Sequence, residues 1–75
     1  MLINIKKLTG TVIPLELEPS ITIEEVKDII AQKDGPPKEN QKFIYRGKRL
    51  EDSKTLRDYD IEDGATIYLI MAMMH

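Results

Sequence analysis

Thr66-Ile67-Tyr68-Leu69-Ile70-Met71-Ala72-Met73-Met74-His75 closes the chain and carries the reading that decides its fold. Its first half alternates with a period of two, so Ile67 and Leu69 share one face of a strand while Tyr68 and Ile70 share the other. One face anchors a core; the other presents a ring and an aliphatic side chain outward. A strand this apolar is expected at the centre of a sheet. Its second half runs on as a Met-rich tail.

The strands that flank it are read outward from there. Met1, Ile3 and Ile5 alternate with Leu2, Asn4 and Lys6, which predicts a strand from the first residue. Leu8-Thr9-Gly10 is a turn with glycine at a position suited to positive φ. The chain returns over Val12 to Leu17, with Ile13, Leu15 and Leu17 on one face. Pro14 lies within this run and has no N–H for a ladder, so the strand is expected at a sheet edge.

A helix follows. Thr22 and Glu25 have the spacing of a capping box, with Ile21 and Val26 as a hydrophobic staple. Ile23, Val26 and Ile30 recur at helical spacing, Ile29 widens the stripe, and Lys33 suits the negative end of the helix dipole. Gly35 is expected to provide a left-handed exit, and Pro36-Pro37 forbids continuation. The predicted helix runs from Ile23 to Asp34. Beyond it, Gln41 to Tyr45 reads as a short strand with Phe43 and Tyr45 inward and Ile44 outward, between Lys42 and Arg46. Arg46-Gly47 is a turn, Lys48-Arg49-Leu50 a brief return strand, and Thr55 to Asp58 a second capping pattern over one helical turn. Asp63-Gly64 turns the chain into the final strand.

Composition narrows the possible functions. The chain has 75 residues, 11 basic and 13 acidic, no cysteine and a single histidine. A net charge of −2 is no nucleic-acid footprint. No apolar run approaches the roughly 20 residues of a membrane-spanning helix, and the N-terminus lacks the order of a signal peptide. Without cysteine there is neither a disulfide nor a thiolate ligand, which suits a reducing cytoplasmic or nuclear setting. Ser20 and Ser53 have no histidine within the fold to act as base, and the turn glycines make no phosphate loop. The expectation is a monomer that is not an enzyme, with no catalytic residue, metal or cofactor. Asp58, Asp60, Glu62 and Asp63 read as a solvated acidic face.

Two strands, one helix and further strands, with both termini supplying central strands, predict an α+β chain. Its helix covers one face of a mixed five-stranded sheet, the β-grasp arrangement. At this point a resemblance is evident. Met1 and Ile3, Leu8-Thr9-Gly10, Glu18-Pro19-Ser20, Thr22-Ile23-Glu24, Val26-Lys27, Gly47-Lys48, Leu50-Glu51-Asp52, Thr55-Leu56 and Asp58-Tyr59 match ubiquitin without a gap, to about Met71. Leu2, Tyr45 and Ala72 are more similar to its cullin-modifying relative. The resemblance implies a ubiquitin-like domain over residues 1–72 and a flexible tail over 73–75.

It also implies a recognition patch of Leu8, Ile44 and Ile70, with Tyr68 where ubiquitin has histidine. Lys42, Gly47 and Lys48 belong to that patch, and Lys6, Lys42, Lys48 and Arg49 ring it with positive charge. Single outward aliphatic residues are common on any surface, but this grouping with a basic rim points to binding. Lys6, Lys27, Lys33 and Lys48 stand where ubiquitin carries chain-forming lysines; Thr11, Ile29 and Asp63 replace others.

The departure is at the tail. Conjugated members end in Gly-Gly, which threads narrow enzyme channels because glycine lets the backbone approach both walls. Here the aligned residues are Ala72-Met73-Met74-His75. The first expectation is therefore a non-covalent interaction domain, binding proteins with ubiquitin-binding motifs or proteasomal subunits. The alternative is a covalent modifier whose Gly-Gly is altered or missing.

Overall fold

The computed structural model describes residues 1–34 and 36–71. Five strands form one sheet: β1 (Leu2–Lys7), β2 (Val12–Glu16), β3 (Gln41–Tyr45), β4 (Lys48–Arg49) and β5 (Thr66–Met71). Their spatial order is β2-β1-β5-β3-β4. β1 and β5 run parallel, with Ile5 opposite Ile67, and the remaining neighbours are antiparallel. Both termini thus supply interior strands, and β2, with Pro14, lies at an edge. The β-grasp arrangement is the one expected.

Helix α1 (Ile23–Asp34) covers one face. Ile23, Val26 and Ile30 are buried against Ile3, Ile5, Leu15, Phe43, Ile67 and Leu69 from the sheet, and Leu17, Leu50, Leu56 and Ile61 complete the core. Burying such a side chain contributes about 1.5–3 kcal/mol. The alternation read from β5 holds: Ile67 and Leu69 are 1% exposed, Tyr68 is 45% exposed. Gly35 and Ala72–His75, and with them the helix exit and the tail, lie outside the described residues.

The capping box forms as drawn. Thr22 Oγ1 accepts the Glu25 N–H at 3.2 Å, and Glu25 Oε1 accepts the Thr22 N–H at 3.0 Å. The second pattern repeats it: Thr55 Oγ1 accepts the Asp58 N–H at 3.1 Å, and Asp58 Oδ2 accepts the Thr55 N–H at 2.9 Å. That box precedes a 3₁₀ turn over Arg57–Tyr59. The two boxes face one another across an isolated bridge between Thr22 and Thr55, flanked by Leu56 N–H to Ile21 O and Ile23 N–H to Lys54 O. Each carboxylate is held below the ordinary range, first by the backbone N–H of its threonine and then by the hydroxyl.

Three features went unread in the sequence. A 3₁₀ turn over Lys38–Asn40 leads into β3. Gln41 is buried, and its amide nitrogen donates to Lys27 O (3.0 Å) and Pro36 O (3.1 Å), tying the helix to the proline loop. Its Oε1 has no partner among the described residues, and Pro36 has no N–H to offer it. Lys27 is buried as well, with its Nζ 2.6 Å from Asp52 Oδ1.

Candidate protein-binding surface

Among the described residues, no element covers the face of the sheet away from α1. Directly opposed residues on neighbouring strands project to the same side. Lys6 opposes Tyr68, Tyr68 opposes Ile44, and Ile44 opposes Arg49, so these four make one outward row. Lys42 opposes Ile70 in the next row. Ile44 and Ile70 are half-buried, Tyr68 is exposed, and the Lys6 ammonium lies 6.0 Å from the Tyr68 ring centroid. That separation is at the outer limit of a cation–π contact, so it orients Lys6 more than it holds it. Ile44, Tyr68, Ile70 and Lys42 are therefore assembled by register alone.

Leu8, Gly47 and Lys48 reach the surface differently. Leu8 is one residue past β1 on the hairpin turn, which Lys7 N–H to Thr11 O and Gly10 N–H to Lys7 O close, both at 2.9 Å. It is 75% exposed and lines a groove of about 490 Å³ with Pro36 and Met71. Gly47 turns the chain from β3 to β4 with φ +74°, following Arg46 at φ +53°. A two-residue turn with both φ positive matches the twist of its strands, and glycine takes one of the two positions without strain. Lys48 opposes Tyr45, on the parity of Phe43 and not of Ile44, and its ammonium lies 5.6 Å from the Tyr59 ring centroid. The Tyr59 hydroxyl accepts the Glu51 N–H at 2.8 Å, so this ring is a fixed platform. Lys48 therefore belongs to the neighbouring row and stands beside Tyr59.

The lysines read as possible linkage points also separate. Lys6, Lys33 and Lys48 have solvent access, with Lys33 and Lys48 exposed and Lys6 half-buried. Lys27 does not, because its side chain is 9% exposed and ion-paired with Asp52. A nucleophilic attack by that amine needs the pair broken and the helix face opened.

Two members of the acidic run have structural duties, the first read from its spacing and the second not. Asp58 caps the turn as described, and Asp63 Oδ1 accepts the Leu2 N–H at 2.6 Å, pinning the loop before β5 to β1. Among the described residues, no group of three or more His, Asp or Glu is placed to hold a metal, and no helix is long and apolar enough to cross a membrane.

Comparison with known proteins agrees with this geometry. The family model described as ubiquitin family matches residues 3–73. Ubiquitin-like protein 1 of Schizosaccharomyces pombe is 36% identical over 73 residues, covering 97% of this chain and 94% of that protein. Ubiquitin-like protein NEDD8 of Dictyostelium discoideum is likewise 36% identical over 73 residues, with 97% and 95% covered. Ubiquilin of Dictyostelium discoideum is 38% identical over 68 residues, which are 91% of this chain but 13% of that longer protein. A β-grasp sheet in this strand order, with one helix over it, and a ubiquitin family match over residues 3–73 lead to one conclusion: this chain belongs to the ubiquitin family.

Proposed function

We propose that the chain is a ubiquitin-like protein-interaction domain that binds partners of the ubiquitin pathway non-covalently through the open sheet face. The observation that carries this reading is the registered set Ile44, Tyr68, Ile70 and Lys42, with Lys6 and Arg49 beside them. Aliphatic side chains rimmed by cations suit an amphipathic helix with carboxylates flanking its apolar stripe, a helix-in-groove mode of recognition. Leu8 enlarges the apolar area from the hairpin. A patch of this size gives a small, weak interface that gains strength through multivalency. The chain acts as a ligand for receptor proteins, proteasomal ones among them, and not as a catalyst. The similarity to ubiquilin, where the matching stretch is a small part of a longer protein, supports it. The cysteine-free composition suits the cytoplasm or nucleus.

The experiment is a titration of the isotopically labelled chain with a ubiquitin-interacting helical peptide. Chemical-shift changes are expected at Ile44, Tyr68 and Ile70, and Ile44→Ala should abolish them. Shifts confined elsewhere, or unchanged binding by the alanine variant, would overturn the reading.

A second reading is favoured by a separate observation. The similarity to NEDD8 and its relatives spans nearly the whole of those proteins. A covalent modifier needs a terminal glycine carboxylate for activation, and positions 72–75 read Ala-Met-Met-His. Incubation with an activating enzyme and ATP decides the matter: a thioester adduct establishes the modifier, and none leaves the interaction domain.

A further inference from the structure

The outward row that holds Ile44 does not stop at Lys6. Lys6 also opposes Val12, so the row runs Val12–Lys6–Tyr68–Ile44–Arg49 and crosses all five strands. Val12 is 47% exposed, a large share for an aliphatic strand residue. None of the residues in this row is acidic, although the chain as a whole carries a net charge of −2. A face-to-face pairing of two copies would set Lys6 and Arg49 against like charges. The row therefore complements a partner of opposite charge better than a second copy of itself.

We propose that the recognition face extends along this row to Val12 at the β2 edge, and that its occupant is an acidic amphipathic helix lying across the strands. The inference rests on the interaction-domain reading and adds a second apolar footing to it. Strands are spaced about 4.8 Å apart, so Tyr68, Lys6 and Val12 lie about 5, 10 and 14 Å from Ile44. A helix rises about 1.5 Å per residue, so positions i, i+4, i+7 and i+11 fall about 0, 6, 10.5 and 16.5 Å along one face. The fit assigns an apolar residue at i to Ile44 and a small residue at i+4 to the Tyr68 ring. A carboxylate at i+7 meets the Lys6 ammonium, and an apolar residue at i+11 reaches Val12. Pro14, two residues along β2, leaves the edge without a donor there, which disfavours strand addition and leaves side-chain recognition as the mode for this end.

The test uses the whole chain and a synthetic helix-forming peptide with Leu at i and i+11, Ala at i+4, and Glu at i+7 and on both flanks. Shifts are expected at Val12, Lys6 and Tyr68 together with Ile44. Val12→Ala should weaken binding roughly three- to fivefold and Val12→Asp roughly tenfold, from lost apolar contact and then like-charge repulsion. Replacing the i+11 Leu by Ala should produce a similar loss that Val12→Ala does not deepen. Thermal melts that match the parent chain establish that both variants fold. Binding with shifts confined to Ile44 and Ile70, unaffected by either Val12 variant, would overturn the extension and leave the patch standing. No binding by this peptide or by a ubiquitin-interacting helix would overturn both. Shifts at Val12 that depend on the concentration of the chain alone would identify a second copy as the occupant and also overturn the proposal.

Discussion

The two faces of the sheet are built by the same strands, and they differ in what they do. On the inner face Ile5, Ile67, Leu69 and Phe43 are at most 1% exposed and closed over by α1. On the outer face Lys6, Tyr68, Ile70 and Ile44 alternate with them residue by residue, interspersed with cations and covered by no other element among the described residues. A shift of register by one residue would exchange the two sets and put lysines in the core. The comparison teaches that the interior sets the register, and the register in turn composes the outer face. The outer residues are held at their spacing by a core they do not touch.

That division can be broken from either side. Phe43→Ala removes the largest fully buried side chain and should cost about 3–5 kcal/mol, read by urea or thermal unfolding. A loss near zero would mean that the inner face is not the principal support of the fold. Gln41→Leu comes next. It deletes the two hydrogen bonds to Lys27 O and Pro36 O and should destabilise by about 1–3 kcal/mol, tempered because an orphaned Oε1 leaves with them. Thr22→Ala takes away the helix cap and should cost about 1 kcal/mol. Ile44→Ala, in the outer row, should change stability by less than about 1 kcal/mol while abolishing peptide binding. A stability loss comparable to that of Phe43→Ala would erase the distinction between the faces.

The smallest expected effect is on pH dependence. Glu25 and Asp58 have their pKa values lowered in the folded chain by their threonine partners, while in the unfolded chain they return to about 4. A depressed folded value means that the contribution is present above the unfolded pKa and fades as pH falls through the folded one. Unfolding midpoints should therefore drop below about pH 4. In the double variant Glu25→Gln, Asp58→Asn, the acid decline should be shallower. An identical decline would show that other carboxylates control the acid limb.

Much of this was legible in the sequence for local reasons. The helix limits followed from the capping box and from Pro36-Pro37, and the observed α1 has the expected span. Pro14 announced an edge strand, and the alternation in β5 separated buried from exposed residues correctly. Ile44, Tyr68 and Ile70 were assigned outward by parity, and opposed register brought them together. What escaped was long-range. Lys48 was placed in the patch by the resemblance alone, and strand pairing is what sets it opposite Tyr45 with its ammonium beside the Tyr59 ring. Lys27 was named only among the possible linkage lysines, and only packing buries it beside Asp52, 25 positions away. Asp63 read as a turn residue, but its bond to Leu2 spans 61 positions.

By itself, then, the sequence determined where the helix starts and stops, which strand must lie at an edge and which side chains of each strand share a face. Those depend on caps, proline chemistry and a two-residue period, all of which act within a few residues. The tertiary structure decided which strands are neighbours and in what register. It thereby decided that Val12, Lys6, Tyr68, Ile44 and Arg49 form a single row. The reason is physical. Strand pairing joins residues far apart in the chain, and only burial of the whole inner face selects one alignment among the many that local preferences allow.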